Sequence, residues 1–155
     1  MDLIPREPIA LHFCSSPAHL PVIRAAVERM CDLLGMDSEA TGGVVLSVDE
    51  AMTNIIKHAY KGDSGQPIDI VMTPVGQPDP NALEICLSDR GQYVDPSQIK
   101  SRDLDDVRPG GLGVHIIVKC MDEVTYAPRD GGGTVLTMIK NLQSIDAEAS
   151  KEVSS

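Results

Sequence analysis

Aromatic side chains are nearly missing from this 155-residue chain: three Tyr, one Phe and no Trp make up 3% of it. Proteins that hold single-stranded nucleic acid stack bases on such rings, so the composition argues against that class. Positive charge is scarce as well. Thirteen Lys and Arg stand against 23 Asp and Glu, a net charge of −10, the wrong sign for a general binder of phosphate backbones. No apolar run reaches the roughly 18 residues of a membrane-spanning helix. The opening MDLIPREPIA lacks the basic segment and apolar stretch of a secretory signal. These absences predict a cytoplasmic protein with neither a membrane nor a direct nucleic-acid partner. The four cysteines, Cys14, Cys31, Cys86 and Cys120, form no C-x-x-C pair, which weakens zinc and redox readings. Nor is there a G-x-x-x-x-G-K-[ST] phosphate loop.

What is present is an ordinary soluble composition, 42% hydrophobic, in a chain long enough for one well-formed core. The pattern predicts a first strand over Ile9–Cys14, then a helix capped by Ser16 with Pro17 at its first position and stopped at Gly35. A second helix opens at Asp37 or Ser38 and runs to Tyr60, weakened early by Gly42 and Gly43. Strands follow over Ile68–Val75 and Ala82–Ser88. The stretch from Gln92 to Gly110 is polar and loop-like, a length that in a compact domain is usually functional or mobile. A third helix is expected from about Gly111 to Met121, and strands over Glu123–Ala127 and Thr134–Ile139 close the domain. Short turns between consecutive strands imply antiparallel pairs. The expected fold is therefore α+β, a two-layer α/β sandwich with a mixed, mostly antiparallel sheet and helices on one face. Residues 1–142 form this single domain, and 143–155 read as a polar, frayed tail.

Three clusters could carry chemistry. Glu50 and Asn54 sit one turn apart on the second helix, with His58 a further turn on, along a stripe beside an apolar face. A solvated helix face explains such a stripe blandly. The sharper reading notes that an Asn oxygen can hold Mg²⁺ without cancelling its charge towards phosphate, and that a nearby Glu can act as a general base. "SDRG", Ser88–Gly91, ends a strand on an acid and a glycine. This is either a surface turn or a carboxylate placed to accept from an exocyclic amine. "RPGGLGVH", Arg108–His115, is a glycine-rich stretch opening a helix, either loop punctuation or a backbone cradle for an anion. His12, His19 and His115 show no metal-ligand spacing. Arg24, on the exposed side of the first helix, is either merely solvated or an anchor for a partner.

Taken together, in this order, the clusters resemble the GHKL (Bergerat-fold) ATPase superfamily, which includes histidine kinases, MutL and type II topoisomerase ATPase subunits. Glu50–Asn54 matches the N-box E-x-x-x-N, Asp89–Gly91 the D-x-G box, and Gly111–Gly113 the G-x-G box. The stretches "DEAMTNIIKHAY", "GGLGVHIIVKCMDEVTY" and "GGGTVLTMIKNL" are similar, more narrowly, to bacterial anti-sigma-factor serine kinases of the RsbW and SpoIIAB type, over roughly residues 10–142. The resemblance implies Mg²⁺ and ATP as cofactors, with Glu50 as catalytic base and Asn54 as the metal ligand. It implies that Asp89 binds the adenine amine with support from Thr134, and that Gly91 lets the purine pack on the backbone. Gly111 and Gly113 would border the triphosphate, with Arg108 near its terminal phosphate. Where many relatives have a second glycine after the D-x-G box, this chain has Tyr93. The implied partners are an antagonist (anti-anti-sigma) protein phosphorylated on serine and a sigma factor held in sequestration, with a homodimer as the usual assembly. Two other readings stand beside it: a non-catalytic ATP-binding module regulating a phosphatase or other partner, and a detached histidine-kinase-like ATPase domain. The second lacks a preceding helical hairpin with a phosphoacceptor histidine.

Overall fold

The computed structural model describes residues 2–93, 95 and 109–142. Five strands, β1 (Ile9–Cys14), β2 (Pro67–Val75), β3 (Ala82–Asp89), β4 (Glu123–Pro128) and β5 (Thr134–Asn141), pair in the order β1-β2-β3-β5-β4. Every pairing among the described residues is antiparallel. The expected mixed sheet is thus antiparallel in every described pairing: short turns impose this on β2–β3 and β4–β5, whereas β1 joins β2 across α1 and α2, and β5 joins β3 across α3 and β4. Three helices, α1 (Leu20–Leu33), α2 (Ser38–Asn54) and α3 (Pro109–Cys120), pack on one face, which makes the α+β two-layer sandwich.

Strand alternation decides which residues meet the helices. Ile68, Ile70 and Met72 of β2, Leu83, Ile85 and Leu87 of β3, and Leu136 and Met138 of β5 are buried. They form one core with Val27, Met30 and Cys31 of α1, Val44, Val48 and Met52 of α2, and Ile117 of α3. Burying each large aliphatic side chain is worth about 1.5–3 kcal/mol, so this shared core is what holds the two layers together.

The local signals act as their chemistry dictates, with three adjustments. Gly35 ends α1 at φ +76°, a conformation that suits glycine. Asp37 caps α2, its carboxylate accepting the Ala40 N–H at 2.7 Å. Ser16, however, caps only a 3₁₀ turn over Pro17–His19, its hydroxyl accepting from the Ala18 N–H at 3.3 Å, and the α-helix begins at Leu20. Gly42 and Gly43 lie inside α2, where the missing side chain has a use: a Cβ on Gly43 would lie 3.3 Å from the Cys120 Cβ of α3. The third adjustment falls at Asn54, where α2 widens into a π-helical turn over Ile55–Ala59. Most of the polar stretch Gln92–Gly110, and the tail 143–155, lie outside the described residues.

Candidate functional site

The end of the second helix builds one wall of a cleft. A π turn adds a residue to the helical circuit, and such turns occur often at functional sites. Ala51, Asn54, Ile55, His58 and Ala59 recur at three and four residues, so one stripe that runs from α2 into the π turn lines the cleft. The floor comes from the sheet. Leu87 of β3 lies opposite Leu136 of β5, which lies opposite Tyr126 of β4, and all three line the cleft with Asp89 and Thr134. The cleft opens to solvent, and its enclosed part is narrow, about 50 Å³, less than the roughly 300–1,000 Å³ of a filled small-molecule site. The walls are mostly apolar, with few polar groups, which is the usual make-up of a site for a flat organic ring.

Asp89 is 3% exposed and is the one buried charged residue among those described. Burial raises its pKa above the ordinary value of 3.8, against the backbone N–H groups of Gly91 and Thr134 and the charge of Arg129, which pull it down. The Gly91 N–H donates to its carboxylate at 2.9 Å. The turn that carries it is locked from three sides. The Tyr60 hydroxyl accepts from the Arg90 N–H at 2.7 Å and donates to the Pro67 carbonyl at 2.5 Å. A Cβ on Gly91 would lie 2.5 Å from the Ala59 carbonyl oxygen of the π turn. A Cβ on Gly133, at φ +104°, would lie 2.0 Å from the Asp89 carbonyl oxygen. Gly91 therefore has a packing requirement of its own, whatever lies in the cleft.

Asn54 is the second polar feature. Its side-chain oxygen is buried and has no hydrogen-bond partner. An orphaned buried acceptor costs about 1–3 kcal/mol, so such a group calls for an explanation. A cation or donor arriving with a ligand supplies one, and a neutral oxygen at a phosphate site fits Mg²⁺. Among the described residues no cluster of three or more His, Cys, Asp or Glu could hold a metal by itself.

The structure brings together Asn54, Asp89 and Thr134 at the cleft and puts Gly91 against its rim. Glu50, one turn before Asn54, is half-buried and stands outside the cleft wall. Gly111 and Gly113 lie within the first turns of α3, because that helix begins at Pro109 rather than near Gly111. Arg108 lies outside the described residues. Three participants escaped the sequence reading. His58 stands in the sequence only as the next turn of the Glu50–Asn54 stripe, and the structure puts it in the lining of the cleft. Gly133 appears in the sequence only within the stretch "GGGTVLTMIKNL", although three successive glycines before a strand hint at a crowded backbone. Tyr126 drew no attention, and only its register opposite Leu136 puts it in the floor.

An α+β sandwich with this cleft defines an ATPase-type nucleotide-binding domain, and residues 13–140 match the histidine kinase-like ATPase domain. The chain belongs to that family. Among curated relatives it is similar to the serine-protein kinase RsbW of Bacillus pumilus, 28% identical over 89% of both chains. It is also similar to the serine-protein kinase RsbW of Bacillus subtilis, 26% identical over 85% of both. Two solved structures share the fold: the RsbU and RsbW domains of Rv1364c from Mycobacterium tuberculosis (TM-score 0.64, 19% identity, 89% of this chain and 33% of that one), and the SiaB–SiaC complex from Pseudomonas aeruginosa (TM-score 0.59, 14% identity, 83% and 88%). The resemblance drawn from the three boxes is thus borne out at the level of family and fold.

Proposed function

We propose that this chain is a cytoplasmic ATP-dependent protein serine kinase of a partner-switching module. It phosphorylates a serine on a small antagonist protein and, when the antagonist is phosphorylated, holds a sigma factor instead. The observation that carries the reading is the cleft itself: a buried carboxylate, Asp89, and an orphaned amide oxygen, Asn54, line one mostly apolar cleft. That arrangement suits an adenine at one end and a metal-bound phosphate at the other. The names of the relatives support the kinase half.

In this reading Asp89 accepts a hydrogen bond from the adenine amine, with Thr134 beside it. The unpaired N–H groups of the first turn of α3, Gly111 among them, would face the phosphates, with Gly113 bordering them and Arg108 near the terminal one. Asn54 would hold Mg²⁺, which when bound neutralises phosphate charge. Glu50 takes the proton of the incoming serine hydroxyl as its oxygen bonds the γ-phosphorus, and the bond to the β-phosphate oxygen breaks to release ADP. Phosphorylation gives the antagonist about −1.5 to −2 charge at neutral pH. On a kinase of net charge −10, that repulsion weakens docking and frees the surface for the sigma factor.

The test is Glu50→Gln, which keeps size and hydrogen bonding but removes the base. Single-turnover transfer from labelled ATP to the antagonist should fall at least about a hundredfold, the low end of general-base effects, while Mg-ATP binding is retained. Near-normal transfer would remove Glu50 as base. A second reading, in which nucleotide occupancy alone regulates the partner, draws on the position of Glu50 outside the cleft wall. It predicts no transfer by the wild-type chain and nucleotide-dependent antagonist binding.

A further inference from the structure

Tyr126 occupies an unusual position for a phenol. Its ring continues the floor of the cleft at the end of the cross-strand row Leu87–Leu136–Tyr126. It is partly buried and packs against the hydrophobic core. Its hydroxyl has no hydrogen-bond partner among the described residues, and burial alone, with no bonded or charged neighbour, pushes its pKa up to about 12. A Tyr with an apolar body and an accessible O–H suits a site where one end is packed and the other meets a polar group. The ring packs on the core while the hydroxyl is not among the buried unpartnered atoms, so a residue lining the cleft keeps an accessible donor that a Phe would lack.

The neighbouring row supplies the direction. Asp89 of β3 and Thr134 of β5 are each one alternate position along their strands from Leu87 and Leu136, and they line the same cleft. A flat base lying on the Leu87–Leu136 floor with its amine at Asp89 extends towards β4, where Tyr126 stands. The phenol remains protonated across the physiological range, so it can donate. A purine ring offers lone-pair nitrogens at its edges, and these are acceptors that an ionised carboxylate such as Asp89 cannot satisfy.

We propose that the Tyr126 hydroxyl donates a hydrogen bond to a ring nitrogen of the bound purine and so acts, beside Asp89, as a specificity-determining residue. The inference rests on the adenine-nucleotide reading of this cleft. It makes recognition two-sided: Asp89 accepts from the amine and Tyr126 donates to the ring.

The experiment is calorimetric binding of Mg-ADP and its 1-deaza, 3-deaza and 7-deaza analogues to the full chain, wild type and Tyr126→Phe. The Phe variant keeps the ring on the floor, and thermal melts check that it is folded. Mg-ADP should bind Tyr126→Phe about three- to tenfold more weakly, the range for one net hydrogen bond. For one deaza analogue the wild type should show a similar loss and the Phe variant no further loss, because each change removes the same bond. A purely structural tyrosine would weaken ADP and all three analogues alike, and that result overturns the proposal. Equal affinity of the two proteins for Mg-ADP overturns it as well. If wild-type protein binds no adenine nucleotide at millimolar concentration, the adenine reading itself falls and takes this inference with it.

Discussion

A buried carboxylate is held in its charged form at a cost, and Asp89 is the buried carboxylate of this cleft. Burial raises its pKa in the folded chain above the ordinary 3.8. The folded state therefore binds its proton more tightly than the unfolded state does. Stability from this group is fully present below about pH 3.8 and is lost as pH rises through the folded value. Asp89→Asn does not titrate. Urea unfolding of both proteins without nucleotide, from about pH 3.5 to about pH 7, should show the stability difference moving in favour of Asn across that window and flat above it. A difference that does not change with pH would mean that Asp89 is not held at a cost. The same substitution should weaken Mg-ADP binding at neutral pH, since the group kept at the expense of stability is the one assigned to the base.

At the level of elements, the site depends on two places where backbones approach too closely for any side chain. The π turn and the exit of β3 meet at Gly91, and the turn before β5 meets β3 at Gly133. Gly132 and Gly133 offer an internal control. Both have φ beyond +100°, but a Cβ on Gly132 meets nothing within 4 Å, whereas one on Gly133 would lie 2.0 Å from the Asp89 carbonyl oxygen. Gly132→Ala should cost only the backbone strain of a left-handed residue, about 1–2 kcal/mol. Gly133→Ala should cost at least about 1–3 kcal/mol more, because backbone rather than a movable side chain is in the way. Denaturant midpoints at matched slopes decide it. Equal losses would mean that the β5 turn relaxes freely and does not position Asp89.

At the scale of the molecule, the cleft lies between the layers: the helical wall ends α2 and the floor is the sheet. A ligand there bridges both halves of the fold, so binding should stabilise the whole chain. At about a hundred times its Kd, a nucleotide that binds only the folded state adds about 2.7 kcal/mol, which for a domain of this size raises Tm by about 5–10 °C. Scanning calorimetry should show this with Mg-ADP and a much smaller rise with Mg-GDP, whose 6-oxo group meets the Asp89 carboxylate lone pair to lone pair. Equal shifts with both would place recognition in the phosphates alone. No helix among the described residues is long and apolar enough to cross a membrane.

Much of this was legible in the sequence, because the signals were local or periodic. Alternation along β2, β3 and β5, the Asp37 cap and the Gly35 stop each follow from a residue and its immediate neighbours, and so the α+β sandwich could be read from the chain. Glu50–Asn54, Asp89–Gly91 and Gly111–Gly113 stood out because their residue types are poorly suited to where the pattern put them. What the sequence could not determine depends on contacts between distant segments. The π turn after Asn54 is invisible to a helical periodicity that only just fails. Gly91 looks like a turn residue until the Ala59 carbonyl is brought beside it, and Gly133 until the Asp89 carbonyl is. Tyr126 looks like any strand aromatic until the β5–β4 register sets it opposite Leu136, in the cleft that Asp89 also lines. Periodicity tells which face of an element a residue occupies. Only the packing of one element against another tells what that face meets, and in this protein the cleft is made of such meetings.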